Sequence, residues 1–340
     1  MRVLVGISGG VDSAVTALLL KKQGYEPIAV NLKLADKAEN DSAVRCAKFL
    51  DIEFHSVDMT EKFDTLVKKP FADIYLSGKT PNPCVICNRY IKFGLMAELM
   101  EEYGCERIAT GHYVRSEFDD SIGRWTLKKG KDPKKDQSYF LWSLSQEQLS
   151  KTLFPLGEYV KEQVKEIARE EGIPSASNPE SQDVCFIPDG DCAGFIERFT
   201  GNTSVEGDFT DTDGKILGKH RGIAAYTVGQ RKGLGISSDA PLYVLSKNAK
   251  TNTVVLGRNE QLFSDTVAVN DLNWIATDGK ENNITVQAKI RYSTKTAEAV
   301  LIHDGKSGVL HFKEPQRAPS PGQSAVFYYG DTVVGGGIII

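Results

Sequence analysis

Three cysteines carry the most chemically suggestive spacing in the chain. Cys84 and Cys87 form C-x-x-C within Thr80-Pro81-Asn82-Pro83-Cys84-Val85-Ile86-Cys87-Asn88, and Cys185 lies far downstream in Ser181-Gln182-Asp183-Val184-Cys185-Phe186-Ile187. Helical apolar spacing begins at Asn88, with Ile91, Leu95 and Leu99 at i, i+4 and i+8, so the pair stands at a predicted helix N-terminus. There the helix dipole favours a thiolate, which predicts a lowered pKa and a nucleophile at neutral pH. Two thiols that meet in space can pass sulfur. One carries a persulfide; the other attacks and releases the sulfur by closing a disulfide, a step that needs mobile loops and low-pKa thiols. Cys46, Cys105 and Cys192 have no partner motif and are expected to be small buried apolar residues.

A second constellation lies at the N-terminus. The apolar run Val3–Ile7 leads straight into Ser8-Gly9-Gly10-Val11-Asp12-Ser13, and helical spacing follows. Glycines permit positive φ, so successive N–H groups can converge on one concavity. The helix N-terminus adds partial positive charge suited to an anion. Ser8 and Ser13 add hydroxyl donors, while Asp12 cannot face a phosphate directly and is expected to hold Mg²⁺ or to fix the loop. The spacing fits neither the Walker loop nor the dinucleotide-binding fingerprint. The plain alternative is a tight strand-to-helix turn. His112 follows a predicted strand end, where ligands gather in doubly wound sheets; the isolated His55, His220, His303 and His311 are given no role.

The elements that must position these residues alternate over the first half. Strands are predicted at Val3–Ile7, Pro27–Leu32, Phe54–Asp58 and Arg107–Thr110, and helices at Ser13–Gln23, Ser42–Leu50 and Asn88–Tyr103. Strand–helix alternation means a parallel doubly wound sheet. Beyond it, 17 of the 31 glycines fall in residues 201–340 and helical periodicity disappears. Short β-branched or alternating runs occur at Thr253–Leu256, Ile284–Ile290, Ala297–Ile302 and Gly308–Phe312. Asp278-Gly279, Asp304-Gly305 and Tyr329-Gly330-Asp331 are predicted hairpin turns, and the whole region reads as small β-barrel or β-sandwich modules. Breaks near 188 and 260 divide the chain into 1–188, 189–260 and 261–340.

Composition bounds the rest. With 340 residues, 41% hydrophobic and 25% charged, the chain is globular and long enough for two or three domains. A net charge of −4 argues against a non-specific polyanion binder, although a local basic patch is compatible with it. Arg124–Gln137 holds six basic residues against two acidic ones; alone it reads as a solvated loop. Gly229-Gln230-Arg231-Lys232-Gly233 reads as a backbone-phosphate contact or a tight turn. No apolar run approaches membrane-spanning length and the N-terminus lacks a signal-peptide pattern, so a cytoplasmic protein without membrane association is expected. Six cysteines spread over this length do not form a secreted disulfide framework.

The Ser8–Ser13 loop resembles the pyrophosphate loop of the ATP pyrophosphatases, which adenylate a substrate while splitting ATP into AMP and pyrophosphate. That loop sets a reaction type, not a substrate. More specifically, Thr80–Phe93, Gly111-His112-Tyr113, Lys135–Leu141, Phe154–Gly157, Ser181–Ile187, Thr227–Gly235, Lys289–Tyr292 and Pro321–Val326 run in order over almost the whole chain. Together they resemble the tRNA-specific 2-thiouridylases, that is, tRNA-uridine 2-sulfurtransferases. The resemblance implies an N-terminal ATP pyrophosphatase domain (1–188), a small β-rich central domain (189–260) and a C-terminal β-barrel (261–340). It implies ATP and Mg²⁺ as cofactors, with ATP bound by Gly6, Ile7, Ser8, Gly9, Gly10, Val11, Asp12 and Ser13, and Leu32 and Gly111 at the adenosine. Cys87 would be the nucleophile and Cys185 the persulfide carrier, closing a disulfide as AMP leaves.

Asn82, Pro83 and Cys84 would approach the target base, and His112, Lys135, Asp136, Gln137, Arg291, Tyr292 and Gln323 would touch tRNA. The substrate would be the wobble uridine of tRNAs for Lys, Glu and Gln, with sulfur from a cysteine desulfurase or a sulfur-relay protein. The chain departs from the family in three places. Cys84 stands where many members have Asp, Leu32 replaces a usual Met, and the segment after Leu32 is short. Cys84, Cys87 and Cys185 thereby make a three-thiolate set that could hold an iron–sulfur cluster (4Fe–4S) with one open iron, an alternative to the persulfide. Another adenylating synthetase of the same loop class is the further alternative.

Overall fold

The computed structural model describes residues 1–34, 41–175 and 184–340. Ser181–Asp183, which open the motif around Cys185, and most of the short segment after Leu32 lie outside the described residues. Seven strands belong to the first part of the chain: β1 (Arg2–Gly6), β2 (Glu26–Lys33), β3 (Phe54–Asp58), β4 (Arg107–Ala109), β5 (Val114–Asp119), β6 (Arg124–Lys129) and β7 (Thr152–Leu153). Five form a sheet in the order β3-β2-β1-β4-β7, parallel throughout. β1 lies at its centre and its Val3, Leu4 and Val5 are fully buried, as expected of a strand covered on both faces. Helix α1 (Val11–Lys22) starts two residues before its predicted position and is apolar on most sides, because it is covered by the sheet and by the helix Lys161–Glu170. α2 (Asp41–Phe49) follows β2.

The helix carrying the cysteine pair begins earlier than its periodicity predicts. Pro83 occupies its first turn, where a missing N–H costs nothing. The winding then widens over Asn88–Leu95 before Met96–Glu102 closes as ordinary α-helix. Ile91, Leu95 and Leu99 are buried as their spacing predicts. A further helical run, Thr60–Leu76 in three pieces, was not evident in the sequence.

The helix Cys192–Thr200, capped by the Asp191 carboxylate and ended by Gly201 at φ +72°, leads into a four-stranded sheet. Its strands are β8 (Gly207–Thr210), β9 (Ile216–His220), β10 (Tyr243–Asn248) and β11 (Thr253–Gly257), ordered β10-β11-β8-β9 around Phe209, Val244, Val254 and Leu256. The last six strands are β12 (Phe263–Trp274), β13 (Asn283–Lys289), β14 (Ala297–His303), β15 (Gly308–Arg317), β16 (Ser324–Tyr329) and β17 (Thr332–Ile339). They run β12-β15-β14-β13-β16-β17, and pairing of β17 back to β12 closes the barrel. Asp304-Gly305 and Gly330-Asp331 are hairpin turns. Asp278-Gly279 is not: it bends the connection from β12 to β13, which are not neighbours in the sheet. Among the described residues, no helix is long and apolar enough to cross a membrane.

The barrel is fused to the first part of the chain. The β5–β6 hairpin extends the barrel sheet through Lys128 opposite Thr332. Trp142, Tyr139 and Leu127 share one core with Ile275, Val326, Tyr328 and Val333. Gly336 is required here, since a Cβ would fall 2.7 Å from the Trp142 ring. The basic run Arg124–Gln137 is therefore not one solvated loop. Arg124 donates to the carbonyls of Ile275 and Trp274, Lys128 pairs with Glu117, and Lys129 donates to the Gly330 carbonyl. Lys131 and Lys134 remain exposed.

A second seam braces the segment before Cys84. The Thr80 N–H donates to the Pro321 carbonyl at 2.7 Å, and Gln323 Nε2 donates to the Thr80 and Pro81 carbonyls, both at 3.1 Å. Gly322 lies at φ +91°, and a Cβ there would meet the Thr80 carbonyl oxygen at 2.9 Å. Gly322→Ala is expected to destabilise by about 2 kcal/mol through strain and this backbone clash. Urea denaturation checks this; an unchanged midpoint would show that the seam yields without cost.

Candidate active site

The anion loop forms where β1 turns into α1. Only one of its two glycines needs special backbone freedom: Gly9 sits at φ +80°, whereas Gly10 is extended at φ −89°. Ser13 Oγ accepts from the Ser8 N–H at 3.2 Å and donates to the Gly10 carbonyl at 3.0 Å, tying the loop into a tight arc. Asn31 Nδ2 donates to the Ile7 carbonyl at 2.7 Å from β2. Gly111, just past β4, approaches so closely that a Cβ would stand 3.0 Å from the Asp12 carbonyl carbon. Asp12 Oδ1 accepts from Tyr113 OH at 2.7 Å and from Lys161 Nζ at 2.6 Å. Between the two roles expected of it, this arrangement is the one that fixes the loop.

The arc opens into a cavity of about 800 Å³. Gly6, Ile7, Ser8, Asp12, Ser13, Leu32, Gly111, His112, Gln137 and Cys185 all line it. Of the anticipated nucleotide set, Gly9, Gly10 and Val11 do not face this space.

Cys84 and Cys185 keep accessible edges and Cys87 is buried, and all three are free thiols. The expected acidification by the helix end does not hold. Protein packed around the thiols disfavours the charged form and pushes each one up, Cys87 to about 11. Cys84 and Cys87 sit on a five-residue turn that continues into a longer helix, and Cys87 is already inside the core shared by Val85 and Ile91. Lys92 opposes the rise at all three sulfurs, and Lys68 adds to it at Cys185. Both lysines line the cavity. Among the described residues, no group of three His, Cys, Asp or Glu side chains is arranged to hold a metal ion. The three thiols thus do not fit a cluster in this arrangement.

Cys185 is placed by its neighbour. The Phe186 ring packs edge-on against Phe63 and Phe71 (5.6 and 5.2 Å between centroids) and tilted against Phe195 at 5.0 Å. His112 is buried, with Nδ1 2.8 Å from Thr110 Oγ1, and burial together with Lys92 holds its pKa well below the usual imidazole value, so it is neutral. Asp136 builds a turn, accepting from the N–H groups of Gly130 and Ser138 and from Ser138 Oγ. Gln137 Oε1 accepts from the Tyr113 N–H. Arg291 clamps the central sheet to the barrel by donating to the Val228 and Ala318 carbonyls, each at 2.8 Å. Tyr292 is 40% exposed and packs on Phe140 at 4.5 Å. Asn82 precedes the cysteine helix without capping it through its side chain. Of the unassigned cysteines, Cys46 and Cys105 are buried as expected, while Cys192 is half-buried beside Tyr75. The Gly229–Gly233 segment is a tight turn, with Gly229 at φ +86°.

Residues 1–189 match the family described as tRNA methyl transferase HUP domain, 193–258 the tRNA methyl transferase PRC-barrel domain and 264–339 the aminomethyltransferase beta-barrel domain. A tRNA-specific 2-thiouridylase MnmA 1 from Caldanaerobacter subterraneus subsp. tengcongensis is 49% identical, over 99% of this chain and 97% of its own length. A tRNA-specific 2-thiouridylase MnmA from Clostridioides difficile (strain 630) is 46% identical, over 99% and 98%. The chain belongs to the tRNA-specific 2-thiouridylase family.

For a 2-thiouridylase, the sequence motifs located the loop and the thiols but missed the cations that serve them. Lys161 carried no signal, because its partner Asp12 is 149 residues away. Lys92 was inside a 2-thiouridylase motif, Thr80–Phe93, five residues after Cys87, and that spacing on one helix was the available clue. Phe186 likewise lay within the Ser181–Ile187 motif.

Proposed function

We propose that this chain uses ATP to place sulfur on C2 of the wobble uridine of tRNAs for Lys, Glu and Gln. The observation that supports this most is that the anion arc and the Cys185 segment open onto one cavity, with Lys92 on its wall. The volume suits a nucleoside triphosphate. Phosphates would sit at Ser8–Ser13 and adenosine between Leu32 and Gly111. Asp12 is already engaged by Lys161 and Tyr113, so Mg²⁺ would be held chiefly by nucleotide oxygens and water.

In the first step the uridine O2 attacks the α-phosphorus and pyrophosphate leaves, making C2 electrophilic. Sulfur arrives from a cysteine desulfurase or relay protein as a Cys185 persulfide. Its terminal sulfur attacks C2 and AMP leaves with the O2 oxygen. The Cys87 thiolate then attacks the Cys185 sulfur, so the S–S bond electrons stay with the sulfur on the base and a Cys87–Cys185 disulfide forms. An external dithiol reductant returns the two thiols.

Incubating the protein with unmodified tRNA, radiolabelled ATP and a persulfide source tests this reading. AMP and 2-thiouridine are expected in equal amounts. AMP formed without thiolated base, from a small acceptor and without tRNA, would favour a different adenylating synthetase. Lys135 lies on the loop proposed to meet the tRNA backbone. Lys135→Ala is expected to weaken tRNA binding severalfold and to reduce the slope of log affinity against log salt by about one. An unchanged slope in filter-binding titrations would remove that contact.

A further inference from the structure

The anion loop is tied to the basic loop 131–137 by two separate routes that converge on one carboxylate oxygen. The first runs through Lys161. Its ammonium is 2.6 Å from Asp12 Oδ1, and its side chain is only 4% exposed. Its own N–H is held by Asp132 Oδ2 at 3.0 Å, while Asp132 Oδ1 accepts from the Lys134 N–H at 2.9 Å. The second runs through Tyr113. Its hydroxyl donates to Asp12 Oδ1 at 2.7 Å, its N–H is held by Gln137 Oε1 at 2.9 Å, and its carbonyl accepts from the Gln137 N–H at 3.2 Å. Lys161 Nζ also stands 5.8 Å over the Tyr113 ring, so the routes brace each other.

There is little slack between them. A Cβ on Gly130 would fall 2.5 Å from the Tyr113 carbonyl oxygen, and one on Gly157 would fall 2.2 Å from the Val114 carbonyl oxygen. Gly157 also accepts from the Lys131 N–H at 2.9 Å. A displacement of the 131–137 loop therefore reaches Asp12 directly. Asp12 lies in the first turn of α1 and lines the cavity into which the arc opens.

We propose that Lys161 is a positioning residue that makes the nucleotide arc depend on the 131–137 loop, so that nucleic-acid phosphate on that loop and a nucleoside triphosphate in the arc bind with positive coupling. This rests on the functional reading above, which puts tRNA on the one and ATP on the other. Lys131 and Lys134 are exposed on this loop, while their backbone N–H groups are held by the Gly157 carbonyl and the Asp132 carboxylate. Fixing their backbone fixes Asp132, and through Lys161 it narrows the orientations open to Asp12. By reciprocity, the filled arc must tighten tRNA by the same factor.

The test measures affinity for a non-hydrolysable ATP analogue, with and without unmodified tRNA. Wild type is expected to bind the analogue about fivefold or more tightly when tRNA is present. Lys161→Met is expected to weaken analogue binding roughly tenfold and to abolish the tRNA-dependent gain, with Lys161→Arg recovering most of both. Gln137→Met, which removes the side-chain half of the second route and leaves the backbone bond from the Gln137 N–H to the Tyr113 carbonyl, is expected to halve the gain or more. Retention of the full gain in Lys161→Met, or in Gln137→Met should the first variant not fold, overturns the proposal. So does a wild type that binds both ligands with no gain. Failure of wild type to bind either ligand at all would instead overturn the functional reading on which the proposal rests.

Discussion

Cys185→Ser is expected to lower 2-thiouridine formation roughly a thousandfold or more while leaving affinity for an ATP analogue and for tRNA within about twofold. Serine keeps the shape of the side chain but cannot carry a sulfane sulfur. Its hydroxyl is also a poor nucleophile at neutral pH without an adjacent base. The neutral His112 lines the same cavity, but it is hydrogen-bonded to Thr110 and deeply buried, so it offers no ready proton acceptor at the surface position of residue 185. Stability should change little. Residue 185 is exposed, and the segment is anchored by the neighbouring Phe186 within the Phe63, Phe71 and Phe195 cluster. Mass analysis of wobble nucleosides after single turnover checks the loss, and thermal melting checks the fold. Sulfur incorporation at the wild-type rate would remove Cys185 from the relay and would require another sulfur carrier in the cavity. Phe186→Ala makes a useful contrast: the thiol is kept but its anchor is lost, so partial activity is expected together with lower stability.

What the sequence made legible, and what it hid, divides by range. The strands of the parallel sheet were readable because a strand covered on both faces must be an uninterrupted apolar run, as Val3–Ile7 is. The anion loop was readable because strand, Ser8–Ser13 and helix are contiguous. The β5–β6 hairpin was hidden because its basic residues looked solvated. Their partners, the carbonyls of Ile275 and Gly330, lie 151 and 201 residues away, and no local pattern marks a carbonyl as an acceptor for arginine or lysine. The same holds for Gln323. It is placed 243 residues from the Thr80 carbonyl it grips, and the family resemblance implied only a tRNA contact for it. Asp278-Gly279 has the composition of a hairpin turn, but strand order is a global property, and β13 is delivered beyond β15 and β14. The thiols show the sharpest failure. A helix terminus acts locally and favours the anion, whereas the core around Cys87 is assembled from distant segments and costs the anion more. Sequence reasoning saw the first and could not weigh the second.

That reversal makes Lys92 the residue whose loss should matter most among those outside the relay itself. Cys87 has its pKa pushed up to about 11 by burial, with Cys84 and Cys185 also raised, so thiolates are minor species near neutrality. At pH 8 a thiol of that pKa is ionised to only about one part in a thousand. Because the folded pKa lies above ambient pH, the thiolate fraction, and with it the rate of sulfur transfer, should climb about tenfold per pH unit from 7 to 9. Lys92 is the cation that opposes burial at every one of the three sulfurs; Lys68 assists only at Cys185. Lys92→Met should therefore displace the whole pH–rate line downward by roughly tenfold, parallel to wild type, as expected for removing one charge near a partly buried anion. Iodoacetamide alkylation of Cys87 and Cys185, followed by mass spectrometry, should show midpoints moved up by about one pH unit. Lys92→Arg should restore most of the shift, because the charge rather than the amine is required. An inflection near pH 6.5 is not expected, since His112 is held neutral well below that range by burial and by Lys92 itself. Superimposed alkylation curves for wild type and Lys92→Met would mean that the thiolates draw their stabilisation from bound tRNA or nucleotide rather than from this lysine.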